Sequence, residues 1–179
     1  MTEGRQETRE GEVARVRSYL ASQAMRRTPE QLVEALREAH GQFLEATAAI
    51  PDSVFSTPPR EGEWSAADVL EHVRAIAAID ERSIPAAIER GERPSDVRDV
   101  IEPAQPGATR EQVIAEINGL RERLIAEVLR ADPQAHLDIV WRHNEFGQMN
   151  WREWLLFARV HTLDHTRQIQ AISAALAQP

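Results

Sequence analysis

The sequence predicts an all-α protein, a four-helix bundle with long crossover loops and room for an extra N-terminal helix. Two observations support this fold class. Four segments of the 179-residue chain open with a helix-capping motif. Each motif is followed by apolar residues spaced three and four apart, which is the period of a helix that buries one face. Because strand-like alternation is almost absent, packed helices are the architecture that the pattern favours.

The four predicted helix starts share one chemistry. A Thr, Ser or Asn side chain accepts an otherwise unpaired backbone N–H, and a polar side chain three residues later reaches back to the capping residue. The pairs are Thr28 with Gln31, Ser65 with Asp68, Thr109 with Gln112, and Asn150 with Glu153. They predict helices near residues 28–50, 65–90, 109–131 and 150–177, with starts uncertain by about two residues.

The segment before Thr28 is a candidate fifth helix. Residues 10–26 place apolar side chains at helical spacing, namely Val13, Val16, Tyr19 and Leu20. Such a segment could form an amphipathic helix that packs on the bundle or on a partner. We therefore divide the chain into an N-terminal arm or extra helix, residues 1–27, and the bundle, residues 28–179.

Proline and the connections complete the predicted architecture. Pro85 lies inside the second bundle helix and is expected to bend that helix or end it early. The connections 51–64, 91–108 and 132–149 are rich in Pro, Gly and Asp, and each is longer than a minimal hairpin needs. Loops of this length usually cover one end of a site or contribute to it.

Composition excludes several kinds of chemistry and partner. The chain has no cysteine, and all 21 of its cationic residues are arginine, so thiolate and lysine Schiff-base catalysis are excluded. The formal charge of -8 argues against a nucleic-acid partner. No apolar run approaches the roughly 20 residues that span a bilayer, and the polar N-terminus contains no signal-peptide region. We expect a cytoplasmic protein with no membrane partner.

Three histidines suggest a metal site. His161 and His165 are four residues apart in the last predicted helix, so they lie one turn apart on the same face. His72 lies in an earlier predicted helix and could complete the set. Three neutral imidazole ligands leave a coordination position open, as catalytic zinc sites do. The predicted ligands are therefore His72, His161 and His165.

These histidines belong to a longer pattern. The runs GEWSAADVLEHV (62–73) and FGQMNWREWLLFARVHTLDHTRQI (146–169) resemble the DinB family of bacterial four-helix-bundle proteins. The family pattern falls here on Trp64, Ser65, His72, Gly147, His161, His165, Gln168 and Ile169. The resemblance covers residues 28–177. One departure is Asp164 between the paired histidines, where many relatives carry a further His or Glu, and this carboxylate could alter a contact to a ligand.

The resemblance implies a metal-dependent enzyme that acts on a small molecule. Metal-bound water would make it a hydrolase, and metal-bound thiol would make it a transferase of a low-molecular-weight thiol such as bacillithiol or mycothiol. Zinc is the ion expected first, with nickel or iron as alternatives, because imidazole accepts several divalent metals. The alternative is a non-catalytic, stress-associated bundle protein that binds metal or serves a structural role.

The other histidines have two interpretations each. His40 shares an apolar stripe with Leu36 and Phe43, so it is either a pocket residue near the site or a histidine at a partly solvated helix edge. His136 and His143 fall in a loop and are expected to be solvated, although His143 could lie at the rim of the opening.

Three more expectations concern acids, tryptophans and assembly. Asp68 is interpreted as a cap partner, whereas Asp80 could reach inward or, as we favour, pair at the surface with a cation such as Arg82. Trp141 is the tryptophan best placed to line an entrance. Small residues on the second and fourth helices favour a homodimer, because they permit close helix approach. These are Ala75, Ala77, Ala78, Ala171, Ala174 and Ala175.

Overall fold

The computed structural model describes residues 8–98 and 108–177, and it confirms an all-α fold. The helices are α1 (Arg9–Arg26), α2 (Pro29–Ala48), α3 (Ala66–Arg90), α4 (Arg110–Arg130) and α5 (Trp151–Leu176). Within the described residues, the strands are β1 (Trp141–His143) and β2 (Gly147–Met149), which form one antiparallel hairpin between α4 and α5. A 3-10 turn covers Asp52–Val54. Helices α2 to α5 are the predicted bundle, and α1 is the expected extra helix.

All four predicted capping boxes form. At the start of α3, Ser65 Oγ accepts the backbone N–H of Asp68 across 3.2 Å, and Asp68 Oδ2 accepts the backbone N–H of Ser65 across 2.9 Å. The same reciprocal pair of hydrogen bonds caps the N-terminal ends of α2, α4 and α5. The bundle helices therefore begin one residue after each predicted cap, because the cap itself has extended backbone geometry.

Of the two effects expected of Pro85, a bend or an early end of α3, the early end is wrong. The helix continues to Arg90 and stops at Gly91, whose left-handed backbone (φ 62°) is a common helix terminator. Proline removes one helical hydrogen bond. Three apolar residues around it, Ile84, Ala87 and Ile88, are buried, and this packing holds the last turn in helical form.

Two hydrophobic clusters divide the bundle along its length. On α3, for example, Val73 and Ala77 belong to one cluster, and Ile84 and Ala87 belong to the other. Polar residues occupy the level between the clusters on every bundle helix. They are His40 on α2, Asp80 on α3, Arg121 on α4, and His161, Thr162, His165 and Thr166 on α5. The fold thus places a polar layer in the middle of an apolar bundle.

The bundle helices pack mainly as α2 with α5 and α3 with α4, and α3 also packs on α5. Helix α1 lies on α5, where Leu20 and Ala24 are fully buried. Two polar contacts add to this docking. Arg17 pairs with Glu153 across 3.1 Å, and Arg152 Nε donates to the Ala24 carbonyl across 3.0 Å.

The hairpin also contacts the chain segment at Val97, which precedes α4. The Val97 N–H donates to the Arg142 carbonyl across 2.8 Å, and the Asn144 N–H donates to the Val97 carbonyl across 3.1 Å. The connections before α4 and α5 therefore meet beside β1. Among the described helices, none has the length and apolar character needed to cross a membrane.

Candidate metal centre

The three predicted histidines come together between α3 and α5. Nε2 of His161 lies 3.0 Å from Nε2 of His72 and 3.1 Å from Nε2 of His165. One ligand atom from each residue lies within 4.8 Å of the others. Nitrogen ligands about 2.0–2.1 Å from a tetrahedral zinc ion would be roughly 3.3 Å apart. The cluster is therefore close to the size that one ion requires.

Local structure explains this convergence. His161 and His165 are one turn apart on α5, so their imidazoles project from the same face. His72 lies in the second turn of α3 and is buried. Because α3 packs against α5, the two helix faces meet and all three Nε2 atoms point into one space.

The electrostatics favour neutral imidazoles, which are the form that binds metal. Burial holds the pKa of His161 well below the usual histidine value, and the adjacent His165 and His72 lower it further. Burial also lowers the pKa of His165, against the opposing effect of its hydrogen bond to Gln168. Two imidazoles that resist protonation in this way suit a divalent cation.

Two neighbours orient the cluster. Nδ1–H of His165 donates to Oε1 of Gln168 across 2.7 Å, which leaves Nε2 as the lone-pair nitrogen. The Trp64 ring lies nearly parallel to the His165 ring at 6.4 Å and contacts the His72 ring at 5.2 Å. The Nδ1 atom of His161 is buried and has no hydrogen-bond partner among the described residues.

Two cavities lined by Trp64 reach the cluster. The larger, which we call the histidine cavity, has a volume of about 640 Å³ and is lined by all three histidines. The second, the Gln168 cavity, has a volume of about 620 Å³ and reaches only His165. Trp64 and His165 line both cavities. Ligand sites of small molecules usually have volumes in this range.

His40 lies outside the histidine cavity. Its Nε2 is 2.6 Å from Oδ1 of Asn118, so it links α2 to α4, and its side chain is half-buried. Burial lowers its pKa. The described lining of the histidine cavity does not include it, although it lies at the same level of the bundle.

The expectation that His143 is solvated is wrong, because only 4% of the residue is exposed. Its Nδ1 accepts the backbone N–H groups of Glu145 and Phe146, and its ring packs 4.9 Å from the Phe157 ring. It lines the histidine cavity. The hairpin carries His143 inward, and Gly147, which begins β2 with a left-handed backbone (φ 76°), was the available sequence signal for such a hairpin. His136 is exposed, as expected.

Two other expectations are corrected. Trp141 does not line an entrance: it is 1% exposed and stacks on Trp154 at 5.2 Å. Trp64 is instead the tryptophan that lines the two cavities at the histidine cluster. Asp80 does not pair at the surface with Arg82, because α3 turns it toward Arg121 of α4 at 2.8 Å, with both side chains nearly inaccessible. Burial raises the pKa of Asp80, and Arg121 opposes that shift.

The acids beside the ligands do not enter the cluster. Asp68 caps α3 as expected. Asp164 is exposed and pairs with Arg167 at 3.8 Å. The departure from the family pattern at this position acts on the cluster through its charge, which raises the pKa of His165 against the larger effect of burial. The apolar lining of the histidine cavity includes Phe146, Phe157 and Val160, which the sequence had not indicated as site residues.

Comparisons with known proteins agree with this architecture. The fold is similar to TT2238, a four-helix bundle protein, with a TM-score of 0.63 and 25% identity over 80% of this chain and 99% of TT2238. It is also similar to YfiT from Bacillus subtilis, described as "a probable metal-dependent hydrolase with an unusual four-helix bundle topology". That similarity has a TM-score of 0.66 and 17% identity, and it covers 84% of this chain and 89% of YfiT.

No curated protein sequence is significantly similar to the chain. The sequence profile of the DinB superfamily, however, matches residues 35–169, which is well over half of the chain. The matched span contains the whole histidine cluster and most of the four bundle helices, whereas α1 precedes it. The chain therefore belongs to the DinB superfamily.

Proposed function

We propose that this protein is a metal-dependent enzyme, and that hydrolysis of a small-molecule substrate is the reaction its site supports best. One observation carries the proposal. Three imidazole nitrogens converge to 3.0 and 3.1 Å, and all three rings line a cavity large enough for a small molecule. The similarity to YfiT, described as a probable metal-dependent hydrolase, supports the same reaction.

His72, His161 and His165 would hold the ion. Zinc fits this all-nitrogen donor set, and nickel or iron are the alternatives. When bound, a divalent ion at three histidines lowers the pKa of a nucleophile and polarises the substrate. The chain contains no cysteine and no lysine, so neither a thiolate nor an amine side chain can act as the nucleophile, and a metal-bound nucleophile would take that role.

The surrounding residues position the ligands and the substrate. Gln168 fixes the tautomer of His165 by accepting from its Nδ1–H group. Trp64 packs against His72 and His165 and limits the movement of both rings. The buried Phe157 ring lies 5.9 Å from the ring of His161 and contributes an apolar surface to the cavity beside it. A rigid cluster of this kind holds an ion with little reorganisation.

Transfer of a low-molecular-weight thiol is the second candidate reaction. The observation that favours it is the presence of two cavities that share Trp64 and His165. A transferase needs space for a thiol and for an electrophile at the same centre, whereas a hydrolase needs space for one substrate and water. A bacillithiol-type or mycothiol-type substrate would supply the sulfur nucleophile that the chain lacks.

The test begins with metal analysis of protein purified without a histidine tag. We expect close to one divalent ion per chain, and metal-dependent turnover of either esters or thiol–electrophile pairs. The His161→Ala variant should lose both, whereas His136→Ala, which alters an exposed histidine, should keep both. Stoichiometric metal without turnover on either panel would favour the non-catalytic metal-binding protein. Absence of metal would overturn the proposal.

We also propose a homodimer, for which the surface offers one helix face. Ala75 and Ala77 are buried inside the bundle and Ala78 is partly buried against the same core, so these alanines of α3 do not support an interface. Ala171, Ala174 and Ala175 of α5 are exposed and permit close approach of a second copy. Analytical ultracentrifugation should show a dimer at micromolar concentration, and a monomer there would refute it.

A further inference from the structure

The histidine cavity has an apolar wall and a charged mouth. The wall is formed by Val16, Tyr19, Trp64, Phe146, Phe157 and Val160. The mouth carries three arginines and three carboxylates: Arg9, Arg15, Arg167, Glu12, Glu145 and Asp164. These charges balance one another in number. A ligand that reaches the histidines therefore passes a neutral mouth and then contacts mainly aromatic and aliphatic carbon.

Most of the charged side chains at the mouth form ion pairs with one another. Arg9 donates to Glu145 at 2.6 Å and to Glu12 at 2.9 Å. Arg167 and Asp164 lie 3.8 Å apart and are largely exposed. An anionic ligand would have to compete with these carboxylates for the arginines, and it would bring a negative charge beside Glu12 and Glu145. The electrostatics therefore do not favour an anion.

Helix α1 forms one side of this cavity, and it lies outside the span that the family profile matches. It is held in place at several points. Leu20 and Ala24 are buried against α5, Arg17 pairs with Glu153, and the hydroxyl of Tyr19 accepts from Arg159 across 3.3 Å. Val16 and Tyr19 are consequently presented to the cavity from a docked helix, and Phe146 and Phe157 line the same cavity.

We infer that the substrate of this site carries an uncharged aromatic or similarly bulky apolar group, which binds between Val16 and Tyr19 of α1 and Phe146 of the hairpin while its reactive group lies at the histidines. Helix α1 is therefore a specificity element. The inference rests on the proposed function for the position of the reactive group, but the apolar subsite itself requires no metal.

Hydroxamates test the two ends of the cavity together. Zinc-loaded protein is titrated calorimetrically with acetohydroxamate, phenylacetohydroxamate and 4-carboxyphenylacetohydroxamate, in which a methylene group separates the ring from the chelating head. We expect the phenyl compound to bind about tenfold tighter than acetohydroxamate, because ring burial removes apolar area from water. The carboxylate should cancel much of that gain. Equal binding of all three, or tightest binding of the carboxylated compound, would overturn the inference.

Variants locate the subsite. Tyr19→Ala and Phe146→Ala should each lower the preference for the phenyl compound at least threefold and leave acetohydroxamate binding unchanged. Tyr19→Phe keeps the ring and should retain the preference. Ser18→Ala, on the exposed side of the same helix, is the matched control. Circular dichroism and melting curves establish that each variant is folded. A preference that survives in both alanine variants would refute this location.

A metal-free measurement separates this inference from the proposed function. The uncharged dye N-phenyl-1-naphthylamine and its sulfonated analogue are titrated into metal-free protein, and their fluorescence is recorded. The uncharged dye should bind more tightly, and Tyr19→Ala should weaken it severalfold relative to Ser18→Ala. If acetohydroxamate fails to bind zinc-loaded protein but the dye behaves as expected, the proposed metal chemistry fails and the apolar subsite stands. If the dye shows no dependence on Tyr19, the subsite fails whatever the hydroxamates do.

Discussion

Oε1 of Gln168 accepts a hydrogen bond from Nδ1–H of His165, one turn earlier on α5, across 2.7 Å. This bond leaves the lone pair of His165 on Nε2, which faces His161. Without the acceptor, the ring could rotate or adopt the other tautomer. We expect Gln168→Ala to weaken metal affinity about 10–100-fold, measured by competition with a chelating indicator dye.

Gln170→Ala is the matched control for this change, because Gln170 is exposed on the same helix. Its metal affinity should equal that of the wild type. Gln168→Glu retains an acceptor of the same length and should restore tight binding. If Gln168→Ala binds metal as tightly as the control, the hydrogen bond has no role in positioning His165.

Removal of the metal should destabilise the folded protein. A ligand that binds only the native state stabilises it by about 2.7 kcal/mol when its concentration is a hundred times its Kd. For a chain of this length, that corresponds to a decrease of roughly 5–10 °C in Tm on chelation. Calorimetry with and without a chelator measures this difference.

His165→Ala should abolish the response of Tm to the chelator and keep the helical fold, since most apolar burial lies in the two clusters on either side of the polar layer. His136→Ala should respond as the wild type does, because His136 is exposed. Unchanged metal content in His165→Ala would remove His165 from the site.

Catalysis should depend on the three histidines as one unit. His72→Ala, His161→Ala and His165→Ala should each abolish turnover, and a double variant should be no worse than a single one, because groups that act together are not additive. Activity of the wild type should rise with pH as the nucleophile ionises. A double variant much slower than either single variant would indicate separate roles.

The buried Asp80–Arg121 pair should be costly to break. Both side chains are nearly inaccessible and lie 2.8 Å apart. Asp80→Ala leaves the guanidinium of Arg121 uncompensated in the polar layer, so we expect a loss of about 3–5 kcal/mol in the free energy of unfolding. Urea denaturation measures it. Asp68→Ala, which removes only a cap, should cost about 1 kcal/mol.

Replacing both partners of this pair is the informative control. The double variant Asp80→Leu/Arg121→Met fills the space with apolar atoms and leaves no unpaired charge, so it should recover most of the stability that Asp80→Ala loses. If the single variant is as stable as the wild type, the pair does not hold α3 and α4 together.

Stability of the metal-free protein should depend on pH through buried histidines. Burial lowers the pKa of His40 in the folded state. Below the pKa of about 6.5 that histidine has in the unfolded chain, the unfolded chain binds a proton at this position more readily than the folded protein does. The free energy of unfolding should therefore be fully retained above that pH and fall as pH decreases toward the lower folded pKa. The lowered pKa values of His161 and His165 act in the same direction.

Denaturation curves between pH 8 and pH 5 test this dependence. His40→Gln should reduce the slope in the acidic range, whereas His136→Gln should leave it unchanged, since His136 is exposed. A slope that is identical in all three proteins would show that His40 titrates normally in the folded state.

Local sequence was sufficient to predict the helices, and a motif pattern shared with the DinB superfamily predicted the set of converging histidines. A capping box depends on residues three positions apart, and all four formed at the expected places. The spacing of His161 and His165 put both on one helical face, and the order of motifs placed His72 with them. Each of these features is decided within one or two turns of backbone or by a pattern shared with the DinB superfamily.

The partners of single buried side chains depended on tertiary packing. In the sequence, Arg82 is the cationic residue close to Asp80. Arg121 lies 41 positions away and faces Asp80 only because α3 packs on α4. Likewise, the hairpin decides that His143 is buried, and the docking of α1 decides that Tyr19 lines the cavity. A side chain's neighbours across a helix interface depend on the relative position and rotation of two helices, which neither local spacing nor capping specifies.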